Sequence, residues 1–219
     1  MRFIYISAAV IIFAWLSQCT LELADPVPNR VMMVMRITGV PNSVTGILFH
    51  FRLYDTIFEV FVFTVAVLGV QHYLPRQPEA MTIYHASHDT IVILARIGAM
   101  VAGLVALELA IRGHLAPGGG FAAGVAGGTC IGLVAVTSEH WRSRERHEKW
   151  HASLWEKWSV LLLLGLSVPI LAGVEFPLGY YGSLLSGGAT PLLNFLIAFK
   201  VTIGSWTVLY MFIRFRGLL

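Results

Sequence analysis

Apolar residues run along this chain in long continuous stretches, separated by short segments rich in charge, proline or glycine. Six stretches, at about 3–21, 53–73, 90–111, 121–137, 158–174 and 191–215, approach the roughly 17–25 residues that cross a bilayer as a helix. They are continuously apolar rather than alternating, which disfavours a β-barrel. A seventh apolar piece, 44–51, is too short to cross alone and predicts a re-entrant or interfacial turn. Pro26, Pro28, Pro41, Pro75, Pro78, Pro117, Gly118–Gly120 and Pro177 punctuate the connections. The pattern predicts an all-α, polytopic membrane protein with about six transmembrane helices.

The first stretch has a second reading. Arg2 followed by apolar residues resembles a signal peptide, and Leu16-Ser17-Gln18-Cys19 resembles a lipoprotein processing site. Gln18 is a poor residue before such a cysteine, and no small-x-small cleavage site follows. The segment is therefore read as a spanning helix.

Composition sharpens this picture. Of 219 residues, 57% are hydrophobic and 12% charged, about half the roughly 25% of a soluble domain. The mean hydropathy is +0.74. Fifteen Lys+Arg and 12 Asp+Glu are too few to cover a soluble protein of this length, and the same arithmetic argues against disorder and nucleic-acid binding. Cys19 and Cys130 lie far apart in apolar runs and form no CxxC, so iron–sulfur, zinc-ribbon and thioredoxin-type chemistry are not expected. His147/His151 and His85/His88 have ligand-like spacing but no third ligand, and Trp141 to His151 reads as a polar cytoplasmic loop. No histidine sits mid-span to hold a haem, and no nucleophile–base pair or cofactor loop marks an enzyme.

The net charge of +3 and the pI near 9.0 follow from topology. One side of the membrane would hold Arg2, Arg76, Arg142, Arg144, Arg146, Lys149, Lys157, Arg214 and Arg216, interrupted by Glu145, Glu148 and Glu156. The other would hold Arg30, Arg36, Arg52 and Arg112. The excess of cationic residues on the first side places both termini in the cytoplasm.

The remaining charges fall inside spans, where they are costly and mark function or structural pairing. Asp55 and Glu59 lie four residues apart, on one face of the second span. Arg96 and Glu108 lie in the third, and Lys200 near the middle of the sixth. Buried carboxylates and a buried lysine can exchange protons near neutral pH, so these five residues are the ion-translocation candidates. Ion pairing that fixes helix packing is the alternative, with equal weight for Asp55 beside Arg52. Arg96 can reach the inner interface by snorkelling.

A glycine-rich signal precedes the fourth span: Gly113-His114-Leu115-Ala116-Pro117-Gly118-Gly119-Gly120-Phe121. It is neither a Walker loop nor a dinucleotide fingerprint, having no Gly-Lys-Ser/Thr and no βαβ context. Gly120, Gly124, Gly128 and Gly132 then recur every fourth residue, a stripe that lets a neighbouring helix approach closely. The reading is a tight turn followed by a packing helix.

Gly113-His114-x-x-Pro117-Gly118-Gly119-Gly120-Phe121, with Thr190-Pro191-Leu192-Leu193 opening the last span, resembles the B-type (MnhB/MrpB-like) component of Mrp-type multisubunit Na⁺/H⁺ antiporters. Small subunits of membrane-bound hydrogenase and sulfane-reductase complexes share the signature. Upstream, Ile47-Leu48-x-x-Phe51-Arg52-x-x-Asp55-Thr56-x-x-Glu59 and Ala66-Val67-Leu68-Gly69-Val70 resemble the C-terminal tail of the large A-type component of the same antiporters. Thr45 and His50 stand where that pattern has Asn and Asp. The resemblance implies two fused modules: residues 1–80, A-tail-like with two helices, and residues 81–219, B-like with four.

It further implies a non-redox subunit of a cation/proton antiporter complex in a prokaryotic cytoplasmic membrane. It would work beside the antiporter-like A-type and D-type components, contribute Asp55 and Glu59 to an ion path, move Na⁺ or another monovalent cation against H⁺, and bind no cofactor or metal itself. The alternatives are the equivalent subunit of a redox-driven hydrogenase-like or complex I-related assembly, and a purely structural packing subunit.

Overall fold

The computed structural model describes residues 27–79, 88–137 and 152–216. The first expected span, the loop Trp141 to His151, Cys19 and His85 lie outside them. Residues Met1–Met33 and Val34–Leu219 form two separate compact units, and the second carries the features below.

The described residues are all helical apart from turns and loops. In chain order they form α1 (Val27–Thr38), α2 (Ser43–Gly46), α3 (Leu53–Tyr73), α4 (Asp89–Arg112), α5 (Gly120–Thr137), α6 (Ala152–Leu171) and α7 (Thr190–Arg216). Five of these helices are long and apolar enough to cross a membrane. They coincide with the second to sixth expected spans within one or two residues, except α6, which begins six residues before the expected start at 158. That shift brings Glu156, expected in a cytoplasmic loop, inside a helix.

The short apolar piece after Pro41 is the second half of a broken helix. α1 ends where Gly39 takes φ +67, a conformation that favours glycine. Asn42 then caps α2, its side-chain oxygen accepting from the Val44 and Thr45 amides at 3.2 and 3.4 Å. The chain changes direction by 60° at this break. A π-type turn, Ile47–Phe51, leads on to α3.

α7 is the hub of the unit. It is apolar on every side and buries Leu193, Ile197, Val201, Ile203 and Ile213. α5 lies along it through the glycine stripe. A Cβ on Gly120 would stand 2.6 Å from the Asn194 carbonyl oxygen and 2.7 Å from Ile197 Cβ, and one on Gly128 2.6 Å from Ser205 Cβ. One on Gly124 would collide with Val201, and one on Gly132 would press on Leu209 at 3.1 Å. Ile197, Val201, Ser205 and Leu209 themselves recur every fourth residue, so a ridge of α7 sits in the groove that the glycines leave on α5. The stripe's partner is therefore in the same chain.

α3 and α6 cover other sides of α7. Phe49, Leu53, Val60, Leu163, Leu193, Ile197 and Val201 form their shared apolar core. α4 packs on α5, where Gly103 meets Cys130 Sγ and Gly98 meets Leu133. The rest of α4, including Ile93, Leu94, Met100 and Leu104, faces outward.

Candidate functional site

Asp55 and Glu59 project from the first two turns of α3, and the structure distinguishes them. Asp55 accepts from Arg52 Nε at 2.6 Å, the structural pairing that the sequence allowed. No described residue bonds to Glu59. It lines a cleft of about 790 Å³ together with Leu48, Arg52, Asp55, Phe58 and Phe63. It also lines an adjoining cavity of about 390 Å³ that reaches Thr45, Thr56, Gly118–Gly120 and Phe121. The acidic face of α3 and the glycine-rich turn, separate motifs in the sequence, thus meet across one cavity. Thr56 Oγ1 is buried there without a hydrogen-bond partner.

Lys200 is fully buried, and its Nζ donates to Glu156 Oε1, also fully buried. The ammonium stands over the Phe63 ring, 5.2 Å from its centroid. Glu156 Oε2 has no partner. Glu156 belongs to a buried face of α6 with Ser159, Leu163 and Ser167, spaced at intervals of three and four residues. That periodicity was present in the sequence, but the charges flanking Glu156 put it among loop residues.

Glu108 and Arg96 are not part of this site. Glu108 accepts from Arg112 at 2.8 Å one turn away, both more than half exposed. Arg96 is exposed on α4. Among the described residues, no group of three or more His, Cys, Asp and Glu side chains could hold a metal.

The glycine-rich turn is held by asparagines that sequence pattern alone did not single out. Asn42 Nδ2 donates to the carbonyls of Gly113 and Ala116, both at 2.9 Å, and Thr45 Oγ1 donates to Gly113 at 3.0 Å. Asn194 Nδ2 donates to Leu109 and Ala110 at 3.0 and 2.7 Å, satisfying the Ala110 carbonyl near the end of α4 and adding to the Gly113 amide already on Leu109. Gly113 has no room for a side chain, since a Cβ would meet Asn194 Nδ2 at 2.9 Å. Gly119 adopts φ +143, which suits only glycine.

His114, in the same turn, is fully buried, and its ring nitrogens make no well-formed hydrogen bond. Burial lowers its pKa below the usual 6.5, and the backbone of Ser183 and Leu184 facing the ring offsets this only in part. The folded chain therefore keeps His114 neutral at pH values where the unfolded chain takes up a proton. Its contribution to stability is complete above about pH 6.5 and is lost as pH falls below it. In detergent, thermal unfolding of the wild type should shift down between pH 7 and 5.5 by more than that of His114→Asn. Equal shifts would show that His114 carries no such linkage.

An apolar bundle with five membrane-length helices defines a multi-pass membrane protein. Residues 90–207 match the family described as a domain related to the MnhB subunit of Na⁺/H⁺ antiporter, and the chain belongs to that family. The fold is shared with a chain of the membrane-bound sulfane sulfur reductase, an archaeal respiratory membrane complex. Identity is 23% and the TM-score 0.67, over 97% of this chain and 98% of that one. The shared fold thus extends well upstream of residue 90. No curated protein matches.

Proposed function

We propose that this chain is a non-redox membrane subunit of a multisubunit Na⁺/H⁺ antiporter-type complex and lends it part of an ion route. Glu59 is the observation that carries the reading. A carboxylate in the first turns of a membrane-length helix, bonded to no described residue and open to two adjoining cavities, is costly unless something positively charged visits it. The MnhB relationship supplies the class of visitor, Na⁺ or another monovalent cation exchanging with H⁺.

The distribution of Lys and Arg supports cytoplasmic termini in a prokaryotic cell membrane. Arg52, Phe58, Glu59 and Val62 on the cleft are exposed in this chain, which suits closure by a neighbouring protein of the complex. The antiporter-like A-type and D-type components are the partners proposed. The same fold in a respiratory complex supports a second reading, in which electron transfer in other subunits drives the ion flow. Iron–sulfur or nickel–iron subunits in the purified complex would favour it.

Glu59→Gln tests the ion route. The intact complex, purified and reconstituted in vesicles, should assemble normally and lose Na⁺/H⁺ exchange by at least tenfold, which corresponds to a barrier raised by about 1.4 kcal/mol or more. Full exchange by the variant would overturn the reading.

A further inference from the structure

Phe63 stands between the Glu59 cleft and the Lys200–Glu156 pair. It lies one turn beyond Glu59 on α3 and forms part of the cleft wall. Its ring also covers the Lys200 ammonium. The ring fits there because Gly204 has no side chain, as a Cβ on Gly204 would strike it. On the far side, the pair is sealed from solvent, with one carboxylate oxygen, Glu156 Oε2, left without a partner.

We propose that Lys200 and Glu156 form a proton-loading site and that Phe63 is the apolar shutter dividing it from the Glu59 cleft. This rests on the reading of Glu59 as part of an ion route. A structural ion pair buried this deeply is often no better than well-packed apolar residues of similar volume. The pair does, however, offer a proton acceptor that such residues lack. With Lys200 as ammonium and Glu156 as carboxylate, the pair is neutral overall.

When the Phe63 ring swings aside, a proton leaving a protonated Glu59 through water can bind Glu156 Oε2. Glu59 becomes a carboxylate and Glu156 a carboxylic acid, and the pair gains one positive charge. Return of the proton restores both groups. The charged group that acts on Lys200 is Glu156. Phe63 on α3 covers the ammonium, and Ser159 and Leu163 share the buried face of α6 with Glu156; none of the three titrates. The protonation state of the pair is therefore set within the pair and by traffic through the shutter.

The test uses the intact complex in vesicles and a double variant, Lys200→Met with Glu156→Met, which removes both charges and keeps the volume. It should assemble at the wild-type level and lose proton-coupled exchange by at least tenfold. Lys200→Arg with Glu156→Asp, which keeps both charges, should recover part of it. Phe63→Ala should assemble and exchange Na⁺ with a pH optimum displaced from that of the wild type, whereas Phe63→Ala in the double-methionine background should keep the optimum of that background.

Full exchange by the double-methionine variant while Glu59→Gln is inactive would overturn the proton-loading site and leave the Glu59 route standing. Full exchange by both would overturn the route as well. A displacement by Phe63→Ala that persists in the double-methionine background would assign it to the cleft alone and overturn the shutter.

Discussion

Lys200→Met by itself is expected to destabilise the chain by about 3–5 kcal/mol, because it strands the Glu156 carboxylate in the bundle without its partner. Both side chains are fully buried, so no water can replace the lost interaction without entering the core. Glu156 Oε2 already lacks a partner, and removal of Nζ would leave Oε1 lacking one too. The Phe63 ring over the ammonium position offers no hydrogen bond. The effect should appear as loss of folded protein on extraction and a lowered unfolding temperature. Adding Glu156→Met should recover most of it, since an apolar pair of similar volume is often as stable as the ion pair. A single variant as stable as wild type would mean that the two groups are solvated or neutral in the membrane.

Gly124→Leu should be the most disruptive substitution on α5. Overpacking a tight core generally costs about 1–3 kcal/mol and sometimes more. Here the first side-chain carbon already collides with Val201, and it lies 3.0 Å from the Ala198 carbonyl oxygen. Neither obstacle is the far end of a flexible side chain, so α5 and α7 must move apart. The separation would spread along the shared face through Gly120 and Gly128, where a Cβ would stand 2.6 Å from its nearest neighbour.

The complex should then fail to assemble, or this chain should unfold well below the wild-type temperature. Gly69→Leu is the control, because a side chain there meets nothing within 4 Å. Equal behaviour of the two variants would show that α5 and α7 are held less closely than the structure has them.

Helix positions were largely legible from sequence because a membrane-length apolar run has few other solutions. The bilayer offers no partner for backbone groups, so each run must satisfy its own by forming a helix. The start of α6 was not legible by that rule. Glu156 and Lys157 lower the local hydropathy, so the run looks shorter than the helix. A charge partnered across the bundle can enter a span, and a sum along one segment cannot register a partner on another. The broken helix at Gly39 to Asn42 shows the opposite case. Pro41 marked it locally, and Gly39 and Asn42 on either side are the turn and capping residue types that such a break takes.

The candidate charges separate in the same way. The Asp55–Arg52 and Glu108–Arg112 pairs are three- and four-residue spacings on single helices, so the sequence contains both partners within one turn. The Lys200–Glu156 pair joins residues 44 positions apart, and the sequence supplied only the lysine. The asparagine clamp on the glycine-rich turn joins positions 71 to 85 apart and left no local trace.

The sequence by itself determined the membrane class, the five membrane-length helices of the described region and the existence of a packing stripe, because these depend on hydropathy and on periodicity within one helix. The tertiary structure decided which helix fills the glycine stripe, that Glu59 and the glycine-rich turn share a cavity, and that Lys200 finds Glu156 behind Phe63. Those relations depend on which faces meet across the bundle, and a periodic pattern shows that a face exists without naming its partner.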